Sequence, residues 1–505
     1  MSAYEAVIGL EVHAQLKTQA KMFSDAPVGF GAAPNSLVHE VCAGHPGSLP
    51  TVNGQAVRLA IRAGLALSCA LQRVSVFSRK HYFYPDLPKG YQISQYDMPI
   101  CWGGVVAYEL DGEPRACDLT RIHLEEDSGK SAHTGEESTS HIDLNRAGTP
   151  LIEIVSEPSL RSPEEAAAYF KALHQLLVCV GVTEGVLAEG HMRCDANVSV
   201  RPVGQEAFGT KVEIKNLNSF KFLKDALAFE IRRQTACAQA GEVIEQETRL
   251  WDDTTKQTFV LRKKEGAADY RYFPEPDLPP LVLDDAWIEA ERAALPELPH
   301  ETRARLQSAY ALSPYDAAVL TANEGFVPRL DHAVAMGANP KAIVNWLTGP
   351  IAGAANAGEV ALCGDAALSF EGAQGARVPL GALVDLQQLV DQGRLSHNLA
   401  RQVWAKMLET GDGAAQVMER EGLEQVADTG ALARLVDEVI AANPNQVAAY
   451  RKGKTALMGF FLGQVMKASQ GKADPKQLQP REELRRAAHD EGRRLGRQGD
   501  RARGQ

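Results

Sequence analysis

The segment from Arg121 to Pro158 reads RIHLEEDSGKSAHTGEESTSHIDLNRAGTPLIEIVSEP. It sets His123, Glu125, Glu126, Asp127, Asp143, Asn145, Arg146 and Glu153 beside short apolar runs. Carboxylates, imidazole, amide and guanidinium at that density can hold a hydrated divalent cation and steer a phosphate. β-strand alternation sends Ile122 and Leu124 to one face and Arg121, His123 and Glu125 to the other; in LIEIV it opposes Glu153 to Ile152 and Ile154. VIGLEVHAQL repeats the pattern, with Glu11, His13 and Gln15 opposite Ile8, Leu10 and Val12. MRCDANVSV sets Arg193, Asp195, Asn197 and Ser199 against Met192, Cys194, Ala196 and Val198, and KVEIKN sets Lys211, Glu213 and Lys215 against Val212 and Ile214. A solvated face laced with salt bridges would account for any one of these strands. If they share one antiparallel sheet, its polar face becomes a basin of charge.

A large scaffold must hold such a basin. The chain has 505 residues, 45% of them hydrophobic, enough for more than one core. Its net charge of -11 argues against indiscriminate nucleic-acid binding, although a local basic patch can still hold RNA. No segment reads as a signal peptide or a membrane span, and the eight cysteines are scattered singly. Reduced thiols and a cytoplasmic protein with no membrane partner are therefore expected.

Taken in order, the pattern predicts an α+β chain. Residues 1–292 form a domain on antiparallel sheet with flanking helices; 293–410 an all-α connector; 411–480 an all-α tail; 481–505 a charged extension expected to be disordered. Two helices interrupt the first domain. One is capped by Ser162 with Pro163 at its first position and stopped by Gly181; the other runs from Ser219 to Gly241. Lys215, Asn216 and Asn218 lie just before the second helix, whose start offers free amide donors to a phosphate. The loop from Phe77 to Pro99 interleaves Arg79, Lys80, Tyr82 and Lys89 with aromatics, as a single-stranded RNA end requires, although aromatics also simply pack loops. The tail carries Arg451, Lys452, Lys454, Lys467, Lys472 and Lys476, a phosphate-backbone contact or a solvated face.

There is no GxxxxGK[ST] phosphate loop, kinase signature or HExxH helix, and no glutaminase cysteine with an evident partner. Any ATP must use the basin, and any ammonia must come from another polypeptide. LEVHAQL, HPGSLP, RKHYFYPDLPKGYQISQYDMPI, RIHLEEDSGK, DLNRAGTPLIEIVSEP, RCDANVSVRP, EIKNLNSF, QETRLWD and DYRYFPEPDLPP occur in that order. Together they resemble the B-subunit family of tRNA-dependent amidotransferases, and the C-terminal helices resemble its YqeY-like tail. Only the segment after about Pro480 is peculiar to this chain.

The resemblance implies a heterotrimer. In it an amidase partner, the glutaminase, hydrolyses glutamine, a third and small polypeptide fastens the pair, and the B-type chain uses ATP to phosphorylate misacylated Glu-tRNA(Gln) or Asp-tRNA(Asn). The whole is a ligase forming a C–N bond, and the non-discriminating aminoacyl-tRNA synthetase is a further partner of such an assembly. Family analogy selects Glu11, His13, Glu126 and Glu153 for a Mg²⁺ site, with Glu125 as the alternative; alternation by itself supports Glu11, His13, Glu125 and Glu153. Glu125 and Glu126 cannot both point inward on a regular strand, so a bulge or strand end is expected there. Arg193, Lys215, Asn218 and Ser219 are assigned to ATP phosphates, with Asp195 and Asn197 orienting them. Many family members carry four cysteines near the N-terminus, where this chain has Ser24, Ala26, His39 and Cys42, so no structural zinc is expected. A non-catalytic tRNA-binding scaffold and a ligase acting on small molecules are the competing readings.

Overall fold

The computed structural model describes residues 4–133, 139–263, 270–423, 429–451 and 454–469. The chain is α+β and divides into two compact units, Met1–Thr302 and Arg303–Gln505, a boundary slightly beyond the expected 292. The first unit is organised by a ten-stranded sheet. Seven of its strands are β1 (Tyr4–Gln15), β4 (Glu113–Glu126), β5 (Pro150–Ser156), β6 (Met192–Pro202), β7 (Val212–Lys215), β8 (Glu247–Asp252) and β9 (Gln257–Lys263). They lie side by side in the order β9-β8-β7-β6-β1-β5-β4. Two further strands, β2 (Ser78–His81) and β3 (Tyr91–Ser94), belong to a separate three-stranded sheet with Phe273–Pro274.

Alternation builds the core. Ile8, Leu10 and Val12 of β1, Ile122 and Leu124 of β4, Ile152 and Ile154 of β5, Met192, Ala196 and Val198 of β6 and Ile214 of β7 are all at most 1% exposed, in one cluster. Each such side chain contributes roughly 1.5–3 kcal/mol on leaving water. A one-residue slip in any of these strands would bury its charges, so the register is strongly specified. The same cluster takes in α1 (Gly54–Ala66), α2 (Pro163–Cys179) and α3 (Phe220–Ala240). α2 starts as its sequence predicts: Ser162 Oγ accepts from the Glu165 amide at 3.0 Å, Pro163 follows, and Gly181 leaves with φ +70°. The sheet is antiparallel except at β7–β8, which run parallel because α3 carries the chain back between them.

Among the described residues the second unit is helical with one addition, a three-stranded sheet of Val360–Leu362, Phe370–Gly372 and Arg377–Val378. Val360, Phe370 and Val378 seal it onto the helical core, whereas the expected connector was wholly helical. Its strands are too short to show a period, so helix signals dominate the sequence there. A separate cluster, Val436, Val439, Val447, Phe461 and Val465, holds the tail helices. The extension over 481–505 lies outside the described residues. No helix among the described residues is long and apolar enough to cross a membrane.

Candidate phosphoryl-transfer site

Directly paired residues of antiparallel strands share a face, so register assembles the site. One row across β6, β1, β5 and β4 reads Arg193, His13, Glu153, His123; the next begins Asp195, Glu11. Glu125 stands opposite Leu151, one step further along the same face. The basin inferred from four separate sequence segments is therefore a single surface.

At its centre two carboxylates and two imidazoles interlock. His13 Nε2 lies 3.3 Å from Glu153 Oε2 and 3.4 Å from Glu125 Oε1, while His123 Nε2 lies 3.4 Å from Glu153 and 3.8 Å from Glu125. Burial opposes an imidazolium at His13, yet the hydrogen bond and charge of Glu153, helped by Glu125, raise its pKa to about 9. His123 is raised in the same way. Reciprocally, burial works against the Glu153 carboxylate, but the two histidines hold it well below the ordinary range, and Glu125 is lowered chiefly by His123. Glu11 goes the other way: burial, then the charges of Glu153, Glu213 and Asp195, raise it. It accepts a hydrogen bond from Asn197 Nδ2 at 2.8 Å.

Cations ring this anionic floor. Arg193 donates to Asp127 Oδ2 at 2.6 Å, and Lys215 to Asp195 Oδ2 at 2.6 Å. Lys80 enters from β2; burial opposes its charge, but Glu125, Tyr272 and Glu153 hold its pKa above the ordinary lysine value. His13, Lys80, Glu125, Arg193, Lys215 and Asn218 line a cavity of about 420 Å³, together with Tyr82, Asp127 and Asp195. That size and polarity suit a small charged ligand.

Several expected site residues are elsewhere. Glu126 ends β4 instead of forming a bulge, and its carboxylate turns from the cluster to Lys89 and the Ile93 amide. It is Glu125 whose ligand atom lies within 4.8 Å of those of His13 and Glu153. Arg79, assigned to RNA, is clamped on Glu275 by two 2.7 Å bonds and stacks over Tyr91. Lys80 and Tyr82, given the same role, form part of the cavity wall. Ser219 caps α3 by accepting from the Phe222 amide and does not line the cavity, whereas Asn218 does. Lys454 and Lys467 are exposed in the second unit; Lys452, Lys472 and Lys476 lie outside the described residues. Of the four N-terminal positions, Ala26 offers no ligand atom, His39 caps a short helix and Ser24 sits 3.9 Å from Cys42. That donor set does not fit tetrahedral zinc.

Asn216, in sequence only a neighbour of the helix start, lines the cavity in a left-handed conformation, φ +68°, and donates to the Trp251 carbonyl at 3.0 Å. The signal was present, an Asn in a strand-to-helix turn, where that conformation is tolerated. Alternation places His123 on the polar face, but its contacts to both carboxylates appear only once β4 and β5 are paired.

Comparison with known proteins agrees with the layout. Residues 6–289 match the GatB/GatE catalytic domain and residues 329–481 the GatB domain. The B subunit of the aspartyl/glutamyl-tRNA(Asn/Gln) amidotransferase of Syntrophotalea carbinolica is 48% identical over 479 residues, covering 94% of this chain and 97% of that protein. Its counterpart in Geobacter sulfurreducens is 49% identical over 477 residues, with the same coverage, and that of Synechococcus sp. (strain JA-2-3B'a(2-13)) is 47% identical over 479 residues, 94% and 96%. The chain belongs to the GatB family of amidotransferase B subunits.

Proposed function

We propose that this chain binds ATP and Mg²⁺ in the basin and phosphorylates the side-chain carboxylate of Glu-tRNA(Gln), Asp-tRNA(Asn) or both. Ammonia then displaces the phosphate. It comes from a glutaminase partner that a third, small polypeptide fastens to this one in the cytoplasm. The observation that carries the reading is the His13–Glu125–Glu153 cluster ringed by Lys80, Arg193 and Lys215. RNA binding alone would give no reason to bury carboxylates against one another.

The residues present fit a hydrated Mg²⁺. Glu125 and Glu153 would supply its hard oxygen donors, two buried carboxylates brought together against His13 and His123. His13 would ligate the ion directly once deprotonated, or hold one of its waters. When bound, the ion supplies charge neutralisation between the ATP phosphates and the incoming carboxylate. The protein's own groups do the remaining work. Lys80, Lys215 and Arg193 offset the negative charge that gathers when phosphates and a carboxylate meet, and Asp127 and Asp195 aim two of those cations. Asn218, which lines the cavity beside Tyr82, orients the nucleotide, whereas Asn197 lies outside the cavity lining and donates to Glu11 Oε1. Activation is needed because ammonia does not expel oxide from a carboxylate. The carboxylate oxygen attacks the γ-phosphorus and ADP departs; ammonia then attacks the acyl carbon and phosphate departs. The exposed Lys454 and Lys467 supply backbone contacts to the tRNA.

The test is ADP release from labelled ATP by the purified complex, given misacylated tRNA and no ammonia donor. Release that requires the charged tRNA supports the proposal. Silence from a complex that still hydrolyses glutamine favours a tRNA-presenting scaffold.

A further inference from the structure

Away from the basin, a lysine and a cysteine are sealed together. Lys21 is 0% exposed and Cys42 4%, and Lys21 Nζ sits 3.6 Å from Cys42 Sγ. The other hydrogen-bond partner of that nitrogen among the described residues is the Leu144 carbonyl, at 3.4 Å. A buried lysine ordinarily answers a carboxylate; this one answers a thiol. Gly148 closes the pocket with φ +83°, and a Cβ there would come within 3.0 Å of Cys42 Sγ. Burial pushes the Lys21 ammonium below its ordinary pKa, which favours a nitrogen with a free lone pair. The mechanism uses neither group.

We propose that Lys21 and Cys42 are a modification site at which dioxygen joins the lysine nitrogen and the cysteine sulfur through a single bridging oxygen. The reaction balances. One S–H and one N–H bond break, an S–O and an O–N bond form, and the second oxygen atom leaves as water with the two hydrogens released. Sulfur and nitrogen each give up two electrons, together the four that dioxygen takes. The contact leaves room for one oxygen after a small shift of two side chains, and the surrounding burial disfavours the alternative, in which water and further oxidant carry the sulfur up to its acids. The bridge ties residue 21 to residue 42 beneath Gly148, whose amide hydrogen-bonds to the Asp127 carbonyl at 2.9 Å, so it stiffens the loop backing the Arg193–Asp127 pair.

The experiment is intact-mass and peptide analysis of the full chain after exposure to dioxygen, with the exposed Cys179 as internal control for oxidant dose. The expected product is heavier by one oxygen less two hydrogens, links the peptides holding residues 21 and 42, and reverts with a thiol reductant. Lys21→Met and Cys42→Ser should each abolish it. Whole-oxygen gains confined to Cys42, the same product in Lys21→Met, or an unaltered pair at a dose that oxidises Cys179 would each overturn the proposal.

Discussion

Substituting Glu153 by Gln in the metal-free protein should collapse the unusual basicity of His13. Rising from 6.5 to about 9 spans about 2.5 pH units, equivalent to roughly 3 kcal/mol of preference for the imidazolium in the folded state. Because the folded value is the higher one, this contribution to stability is complete below pH 6.5 and is lost as pH climbs through 9. Glu153→Gln removes the hydrogen bond and the strongest of the nearby carboxylate interactions while keeping the shape. The midpoint should then fall by about 1–3 units, the range that one adjacent opposite charge commands. Histidine NMR of isotope-labelled protein in a chelating buffer reads it directly, His13→Gln identifying the resonance. Denaturant unfolding at several pH values should show the wild-type slope between 6.5 and 9 flattened in the variant. A wild-type His13 midpoint at its ordinary value, or one unmoved in Glu153→Gln, would refute the coupled cluster.

Glu125→Gln should remove about 2–4 kcal/mol of transition-state stabilisation, the scale of losing one preorganised electrostatic group, in a steady-state assay of tRNA-dependent ATP turnover. Glu126→Gln should instead show its larger effect on thermal stability, because it frees Lys89 from its buried partner. Arg79→Met should lower stability by about 3–5 kcal/mol, since it strands the Glu275 carboxylate at 1% exposure, and should leave the salt dependence of tRNA binding unchanged. Lys454→Ala combined with Lys467→Ala should weaken tRNA binding and reduce the slope of log affinity against log salt by about 2, measured by filter binding, while glutamine hydrolysis by the partner survives.

What could be read in advance follows from period. Strands buried on one face write their chemistry on the other, so alternation puts Glu11, His13, Glu125, Glu153, Arg193, Asp195 and Lys215 on the polar faces of their own strands, and the pairing of those strands makes the faces one surface. Choices between neighbours were harder. Glu125 and Glu126 differ only in which side of a strand end they occupy, and Lys89 and the Ile93 amide that claim Glu126 arrive from a segment far away in sequence. Arg79 and Lys80 look interchangeable as cations, yet adjacent positions on β2 point oppositely. One goes to Glu275, the other into the cavity. Partners nearly 200 residues distant leave no local trace, and the parallel β7–β8 pair is set by how α3 docks, which no short window contains.

The central claim is that the polar face of this sheet transfers a phosphoryl group. Trapping with hydroxylamine tests it most directly: the complex is given misacylated tRNA, ATP and Mg²⁺ without an ammonia source, and the aminoacyl group is analysed for a side-chain hydroxamate. Hydroxamate is expected with the wild-type chain, and its loss with Glu125→Gln. No hydroxamate from a complex that makes amidated tRNA once ammonia is supplied, or undiminished trapping with Glu125→Gln, would contradict it.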